Sequence, residues 1–131
     1  MAHSNADLAR RELQAVNAGD LAALREIYTE DFVFHYPGRS PLAGDYRGFD
    51  GLRDFAEKVG DVAGEQMERE AHAIVADDEH AVQLLTVRAT RKDGRTHEWN
   101  AVVVLHLRDG KFNEAWVHVD DPYAHDEFLS G

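Results

Sequence analysis

The chain has 131 residues, of which 44% are apolar and 30% are charged, proportions typical of one globular domain. Its 25 acidic residues outnumber its 14 basic ones, and a formal charge of −11 argues against a nucleic-acid partner or an anionic membrane surface. Because the chain has no cysteine, it can form no disulfide, thiolate metal site or thiol nucleophile. We expect a single domain over residues 1–131.

The sequence contains no long apolar segment. Its longest uninterrupted apolar run is Ala101–Leu105, whereas a membrane-spanning helix needs about 20 residues. The first residues, Met1–Asp7, lack the apolar stretch of a signal peptide. We therefore expect a cytoplasmic protein with no membrane partner.

The first part of the chain predicts two helices. They are separated at 17–20, where Gly19 suits the left-handed end of a helix and Asp20 can cap the next one. Leu21, Leu24 and Ile27 then recur at helical spacing.

A strand, a loop and a third helix are expected next. The aromatic and β-branched stretch Phe32–Tyr36 favours a short strand that ends at Pro37. Residues 38–48 carry several glycines and predict an irregular loop. A third helix begins near Asp50, and the stretch 60–64 ends it.

The second half of the chain predicts an antiparallel meander. Turn signals rich in aspartate and glycine separate four expected strands, at about 67–76, 80–91, 95–107 and 111–120. The last segment, Pro122 to Leu129, predicts a short helix. Helices followed by an antiparallel sheet indicate the α+β class, with a curved sheet packed on three N-terminal helices. Such a sheet leaves a cone, open at one end, in which a ligand can bind.

Three stretches of the sequence resemble one known family. The loop His35–Gly48 and the tail 109–120, which includes Glu114 and Trp116, resemble the SnoaL-like group of the nuclear-transport-factor-2-like superfamily. The break at 17–21 resembles that of ketosteroid isomerases. The resemblance implies a cone-shaped α+β barrel and a homodimer formed through the outer face of the sheet. The superfamily includes isomerases, polyketide cyclases, dehydratases, epoxide hydrolases and non-catalytic binding modules. The resemblance therefore implies one of these functions, but the fold alone does not determine which.

The resemblance can be carried over residue by residue. Ketosteroid isomerases have a proton-shuttling aspartate where this chain has Tyr36. Their oxyanion-binding tyrosine corresponds to Glu12, and their protonated aspartate corresponds approximately to Val103. Steroid isomerisation by that mechanism is therefore not expected. SnoaL-like cyclases place an acid/base aspartate four residues after a tryptophan on the last strand, and Asp120 after Trp116 matches that position.

The pairing of the last two strands decides which side chains share the cavity with Asp120. If Asp109-Gly110 is a two-residue turn, Trp99 lies opposite Asp120 and shares a face with Trp116 and His118. If the turn has three residues, the pairing slips by one and Asn100 and His106 join His118 and Asp120 instead. We prefer the first register, because it also places Val103 on the cavity side, where the isomerase match expects it.

The same register predicts a dimer interface. It places four valines together on the outer face of the sheet, namely Val102, Val104, Val117 and Val119. With the resemblance, this face predicts a homodimer.

His118 and Asp120 are the first catalytic candidates. They are near neighbours in either register, and a desolvated carboxylate beside an imidazole can move protons near neutral pH. The alternative is that Asp120 caps the segment at Pro122 and that His118 is its surface partner.

Aromatic side chains supply the remaining candidates. Tyr36 can donate a hydrogen bond to a substrate oxygen, or it can pack on the loop. Strand alternation places His35 on the opposite side of the strand, where it can stabilise the loop or contact substrate. The other candidates for substrate binding are core or cavity-lining rings, namely Tyr28, Phe55, Trp99 and Trp116.

A metal site is not predicted. His35, His118 and Asp120 could imitate a two-histidine, one-carboxylate triad, but the sequence has no short ligand-spaced motif.

The sequence leaves two hypotheses for the function. The first is a cofactor-independent acid/base enzyme acting on a small apolar cyclic molecule, and the second is a non-catalytic ligand-binding or dimerisation module.

Overall fold

The computed structural model describes residues 4–63 and 67–130. The starting residues 1–3 and the predicted helix end at Gly64 lie outside these ranges. The elements are α1 (Ser4–Ala18), α2 (Leu21–Ile27), β1 (Tyr28–Tyr36), β2 (Gly44–Arg47), α3 (Gly48–Ala63), β3 (Met67–Ala76), β4 (His80–Thr90), β5 (Thr96–Arg108), β6 (Lys111–Val119) and α4 (Pro122–Ser130). The predicted α+β class is confirmed. No helix in the described part of the chain is long and apolar enough to cross a membrane.

The six strands form one curved sheet in the order β2-β1-β6-β5-β4-β3. β1 and β6 are parallel, and all other neighbours are antiparallel. β2 was predicted as part of an irregular loop, because its four residues include only one buried side chain, Tyr46, and carry no apolar alternation. Helix α3 begins at Gly48, slightly before the predicted start near Asp50, and it ends at Ala63, within the stretch 60–64 where its end was predicted.

The helices pack on one face of the sheet, which we call the inner face. In β5 it carries the alternating side chains Trp99, Ala101, Val103 and Leu105, which join the buried residues of α1 and α3 in two core clusters. The opposite, outer face carries apolar side chains that belong to neither cluster: Val33, Val82, Leu84, Val102, Val104 and Trp116. The ligand-sized space predicted for the fold must therefore lie on the inner side.

A β-bulge at Asn113 sets the faces of β6. Asp109 (φ 53°) and Gly110 (φ 80°) form the expected two-residue turn, in which Arg108 pairs with Lys111. Leu107 then pairs with Phe112 but His106 pairs with Glu114, so Asn113 is one extra residue. A bulge of this kind shifts the register by one and reverses the faces of every later side chain.

The preferred sequence register is therefore wrong beyond the bulge. Val103 lies opposite Val117, not Trp116, and the residue level with Asp120 is Asn100, whose carbonyl accepts from the Asp120 backbone N–H at 3.1 Å. Trp116 and His118 lie on the outer face, away from Trp99. The pairing is that of the second register considered above, although a bulge rather than a three-residue turn produces it.

The valine set predicted for the outer face is wrong for the same reason. Val102 and Val104 lie on the outer face, opposite His118 and Trp116. Val117 and Val119 lie on the inner face and pack against the core.

Candidate active site

A cavity of about 100 Å³ lies between the inner face, α1 and α3. Its walls are largely apolar, and the aromatic contribution comes from six rings: Tyr28, Phe32, Phe34, Tyr36, Phe55 and Trp99. Only a few polar groups reach it, which is the usual design of a pocket for an apolar ligand. The cavity is smaller than an engineered apolar cavity of about 150 Å³ that holds benzene, so a ring compound must be compact and requires the lining side chains to move as it enters.

Glu12 is the buried carboxyl in this wall. The spacing of Leu8, Glu12 and Val16 places the three side chains on one face of α1, directed at the sheet. Glu12 is only 5% exposed, and its carboxylate accepts hydrogen bonds from the Tyr28 hydroxyl and from the Gln83 amide, the latter at 2.8 Å. The same amide donates to the Ala9 carbonyl at 2.9 Å, which fixes β4 to the helix.

Burial makes Glu12 a stronger base than an exposed carboxylate. Desolvation raises its pKa, while the hydrogen bonds from Tyr28 and Gln83 and the charge of Arg69 act in the opposite direction. Burial and the charge of Glu12 both raise the pKa of Tyr28, so its hydroxyl stays protonated. The pair can therefore accept or return one proton inside an apolar cavity, which is what general acid–base chemistry requires.

A second polar pair joins β1 to the C-terminal helix. The hydroxyl of Tyr36, a residue that lines the cavity, lies 2.7 Å from Nε2 of His125. His125 is 1% exposed, and its burial, together with nearby His97, lowers its pKa to about 4. The imidazole is therefore neutral at pH 7. Within the described residues its Nδ1 has no hydrogen-bond partner.

The structure separates the sequence-predicted site residues into two groups. Tyr28, Tyr36, Phe55 and Trp99 line the cavity. The other four, His35, Trp116, His118 and Asp120, do not line it.

Asp120 is exposed at the end of β6. Its carboxylate accepts from the backbone N–H of Asn100 at 3.3 Å, from the Asn100 side-chain amide at 3.2 Å and from the Asp121 N–H at 3.0 Å. These bonds close the end of the strand. Asp120 thus has a structural role, but not the predicted one: its partner is Asn100 and not His118, and the residue that caps α4 is Asp121, which accepts from the Ala124 N–H at 3.0 Å. Exposed His118 lies on the outer face opposite Val102.

His35 lies on the outer face, as strand alternation predicts. Its Nδ1 is 2.7 Å from Asp45 of β2 and its Nε2 is 2.7 Å from Glu114 of β6, while its ring stacks on Trp116 at 5.2 Å. Desolvation lowers its pKa, but the hydrogen bonds to Glu114 and Asp45 outweigh that effect and raise it. His35 therefore bridges three strands and does not contact the cavity.

Sequence reasoning missed four polar residues near the cavity: Glu12, Arg69, Gln83 and His125. A signal existed for three of them. Glu12 interrupts the apolar side of α1, and Arg69 and Gln83 occupy inward positions of strands whose other inward residues are apolar. His125 gave no comparable signal, because the tilt of α4 against β5 depends on tertiary packing.

The described residues hold no cluster of three or more histidine, aspartate or glutamate side chains that could bind a metal ion. In particular, Asp120 and His118 are not assembled with His35, which bonds to Asp45 and Glu114 instead. The expectation of cofactor-independent chemistry stays a prediction.

A curved sheet that carries its helices on one face is typical of the nuclear-transport-factor-2-like class, and comparison with known proteins agrees. The chain belongs to the SnoaL-like domain family, whose model matches residues 9–115. The resemblance drawn from the sequence is thereby confirmed.

Several solved structures share the fold. Bal32a, from a soil-derived mobile gene cassette, is 28% identical, with a TM-score of 0.88 and coverage of 95% of each chain. A cystatin-like protein of unknown function from Xanthomonas campestris is 25% identical, with a TM-score of 0.84 over 95% of this chain and 97% of that one. IdmH, a putative polyketide cyclase from Streptomyces antibioticus, is 24% identical, with a TM-score of 0.74 over 90% and 93%. No curated protein matches the sequence.

Proposed function

We propose that the protein is a cofactor-independent acid/base enzyme that binds a compact apolar ring compound in the cavity, and that Glu12 is its proton-transferring group. The observation that carries the proposal is a buried carboxyl, hydrogen-bonded to the Tyr28 hydroxyl, in the wall of an otherwise apolar cavity. Asp120, the candidate drawn from the resemblance, is exposed and bonded to Asn100, so we assign it no catalytic role.

The chemistry that suits this arrangement is proton abstraction next to a carbonyl. The Glu12 carboxylate takes a proton from the carbon adjacent to the carbonyl, and the C–H electron pair moves towards the carbonyl oxygen to form an enolate. Glu12 then returns the proton to the same or another carbon, so atoms and charge balance. Tyr36 lines the cavity, and its hydroxyl lies 2.7 Å from Nε2 of His125. With the neutral His125 donating from Nε2, the proton of Tyr36 is available for a hydrogen bond to the oxygen that gains charge.

Exchange of hydrogen for deuterium tests this proposal directly. 2-Indanone is a compact cyclic ketone with acidic hydrogens next to its carbonyl, and their exchange in D₂O can be followed by proton NMR. We expect the wild-type protein to accelerate the exchange. Glu12→Gln keeps the shape and one hydrogen-bond acceptor but loses the base, so it should slow the reaction by about 100-fold or more.

Asp120→Asn is the matched control, because it alters one carboxylate of similar size outside the cavity. It should exchange 2-indanone at the wild-type rate. Full activity in the Glu12 variant would overturn the proposal, and loss of activity in the Asp120 variant would restore the assignment based on the family resemblance. Binding of 2-indanone without any accelerated exchange would favour the second candidate, a non-catalytic ligand-binding module.

We further propose that the outer face of the sheet pairs with a second copy of the chain. Val102, Val104 and Trp116 form an apolar patch that belongs to neither core cluster. Such a patch is typical of an interaction surface. Glu114 and His35, beside this patch, already bond to each other. Both groups would therefore remain paired if a second chain covered the face.

A further inference from the structure

Arg69 is a charged residue in the cavity wall that the proposed proton transfer does not use. It lies on the inward side of β3, opposite Val87 of β4. Asn17, at the end of α1, accepts from its backbone N–H at 3.2 Å and donates to its carbonyl at 2.8 Å. Asn17 thereby satisfies both backbone hydrogen-bonding groups of Arg69, which holds the Cα atom of Arg69 in place.

The guanidinium lacks an anionic hydrogen-bond partner within the described residues. Its one hydrogen bond there runs from Nη2 to the sulfur of Met67 at 3.1 Å. Several exposed arginines of this protein are paired with carboxylates, as Arg88 is with Glu98 and Arg108 with Asp31. Arg69 faces the cavity with five N–H donors, and no carboxylate in the described ranges accepts from them.

A poorly hydrated charge without a hydrogen-bonded counter-charge is costly to maintain. Desolvation lowers the pKa of Arg69, and the oxygens of Tyr36, Glu12 and Tyr28 offset this only in part. A ligand that brought an oxyanion into the cavity would supply the missing partner. Guanidinium and carboxylate fit one another through two parallel hydrogen bonds, an arrangement that a neutral oxygen cannot reproduce.

We infer that the natural ligand of this cavity is a compact apolar carboxylic acid, bound as its carboxylate by Arg69 with its ring against the aromatic wall. This inference rests on the proposed use of the cavity as the binding site and specifies the substrate class. The two ends of the ligand then meet two different environments: the carboxylate meets the one cation among the described lining residues, and the ring meets Phe34, Phe55 and Trp99.

The position of Glu12 in the same wall adds a measurable signature. A ligand carboxylate entering the cavity disfavours the charged form of Glu12, whose pKa burial already raises. Binding should therefore be accompanied by uptake of a proton by Glu12. An uncharged ligand of the same shape should bind with little proton uptake.

Phenylacetate and phenylacetamide are the probes, because they have nearly the same shape and differ in charge. Titration calorimetry at pH 7, in buffers of different ionisation enthalpy, gives both affinity and protons taken up. We expect wild-type protein to bind the acid roughly 10- to 100-fold more tightly than the amide, the range for a charge-assisted pair. Arg69→Met should abolish that preference, and Glu12→Gln should abolish the proton uptake.

Arg88→Met is the matched control, since it removes an arginine from the outer face and should leave the preference for the acid unchanged. Arg69→Lys guards against failure of the methionine variant to fold, because it retains the charge and should keep part of the preference. Equal affinity of the wild type for acid and amide, no binding of the acid at millimolar concentration, or an acid preference that survives in Arg69→Met would each overturn the inference.

Failure of this inference is distinguishable from failure of the proposed function. Exchange of 2-indanone depends on Glu12 and uses an uncharged ketone, so it can be lost in Glu12→Gln even if no carboxylate binds. Conversely, a preference for phenylacetate that disappears in Arg69→Met stands even if no exchange is catalysed.

Discussion

The hydroxyl of Tyr36 lies 2.7 Å from Nε2 of His125, and this contact joins the end of β1 to the C-terminal helix. The two rings are 5.8 Å apart, and His125 also packs against Trp99 at 4.5 Å between ring centroids. One buried imidazole thus connects a cavity-lining residue with the C-terminal helix, so its protonation should affect stability.

Acid should destabilise the fold through His125. Burial lowers its folded-state pKa to about 4 from the ordinary 6.5, so between these values the unfolded chain binds a proton that the folded chain does not. The contribution is fully present above about pH 6.5 and is lost as the pH falls towards 4. His125→Gln should therefore lose less stability than wild type over that interval, as measured by urea unfolding. The exposed His72→Gln should follow wild type, and a parallel loss in all three proteins would contradict this prediction.

Glu12 should have the opposite pH dependence. Burial raises its pKa above the ordinary 4.5, so the folded chain keeps a proton that the unfolded chain has released. Its contribution to stability is present below pH 4.5 and decreases as the pH rises through the folded-state pKa. Glu12→Gln should thus gain stability relative to wild type between pH 4.5 and 8 in urea titrations. Glu26→Gln, at an exposed site on α2, should differ from wild type by less than about 0.5 kcal/mol at both pH values.

Two glycines should respond in opposite directions to alanine. At Gly38 the backbone has a φ of +95°, and a Cβ would overlap Oδ1 of Asp126, whose carboxylate accepts from the Arg39 N–H. Gly38→Ala should destabilise the protein by about 1–3 kcal/mol. Gly60 lies inside α3, and nothing lies within 4 Å of the point that a Cβ would occupy, so Gly60→Ala should stabilise by about 0.5–1 kcal/mol. Chemical unfolding of both variants checks the contrast, and equal effects would refute it.

The proposed dimer should be sensitive to charge on the outer face. Val104 lies opposite Trp116 there, and Val104→Glu would bury a carboxylate in the interface without altering the cavity. Sedimentation equilibrium at micromolar concentration should give a dimer for wild type and a monomer for this variant. Tyr123→Glu, at a residue that is 87% exposed on α4, should stay dimeric. A monomeric wild-type protein would show that the face does not pair.

Much of the fold could be predicted because its signals are local. The stretch 67–76 was predicted as a strand with the bounds that the structure shows, since an apolar pattern ends there at an aspartate-rich turn. The break at Gly19 and Asp20 is likewise confirmed: Gly19 has a φ of +66°, and the Asp20 side chain accepts from the Ala23 N–H. Local backbone requirements of this kind depend on few residues.

The candidate site was harder to predict because it depends on long-range register. Nothing in the local sequence marks Asn113 as an extra residue, yet that residue decides that Trp116 and His118 face outwards. Glu12 was aligned with a functional position of the isomerases, but its partner Gln83 is 71 residues away in sequence. Only the packing of α1 on β4 brings the two together.

The bulge at Asn113 also makes the number of residues in β6 a determinant of which side chains line the cavity. Loss of that one residue would exchange the two sides of the final strand, turning the indole of Trp116 towards the cavity and the valines at 117 and 119 towards the outer face. Relatives that differ by a single insertion or deletion at this corner would therefore line their cavities with different side chains, even where every aligned side chain is the same.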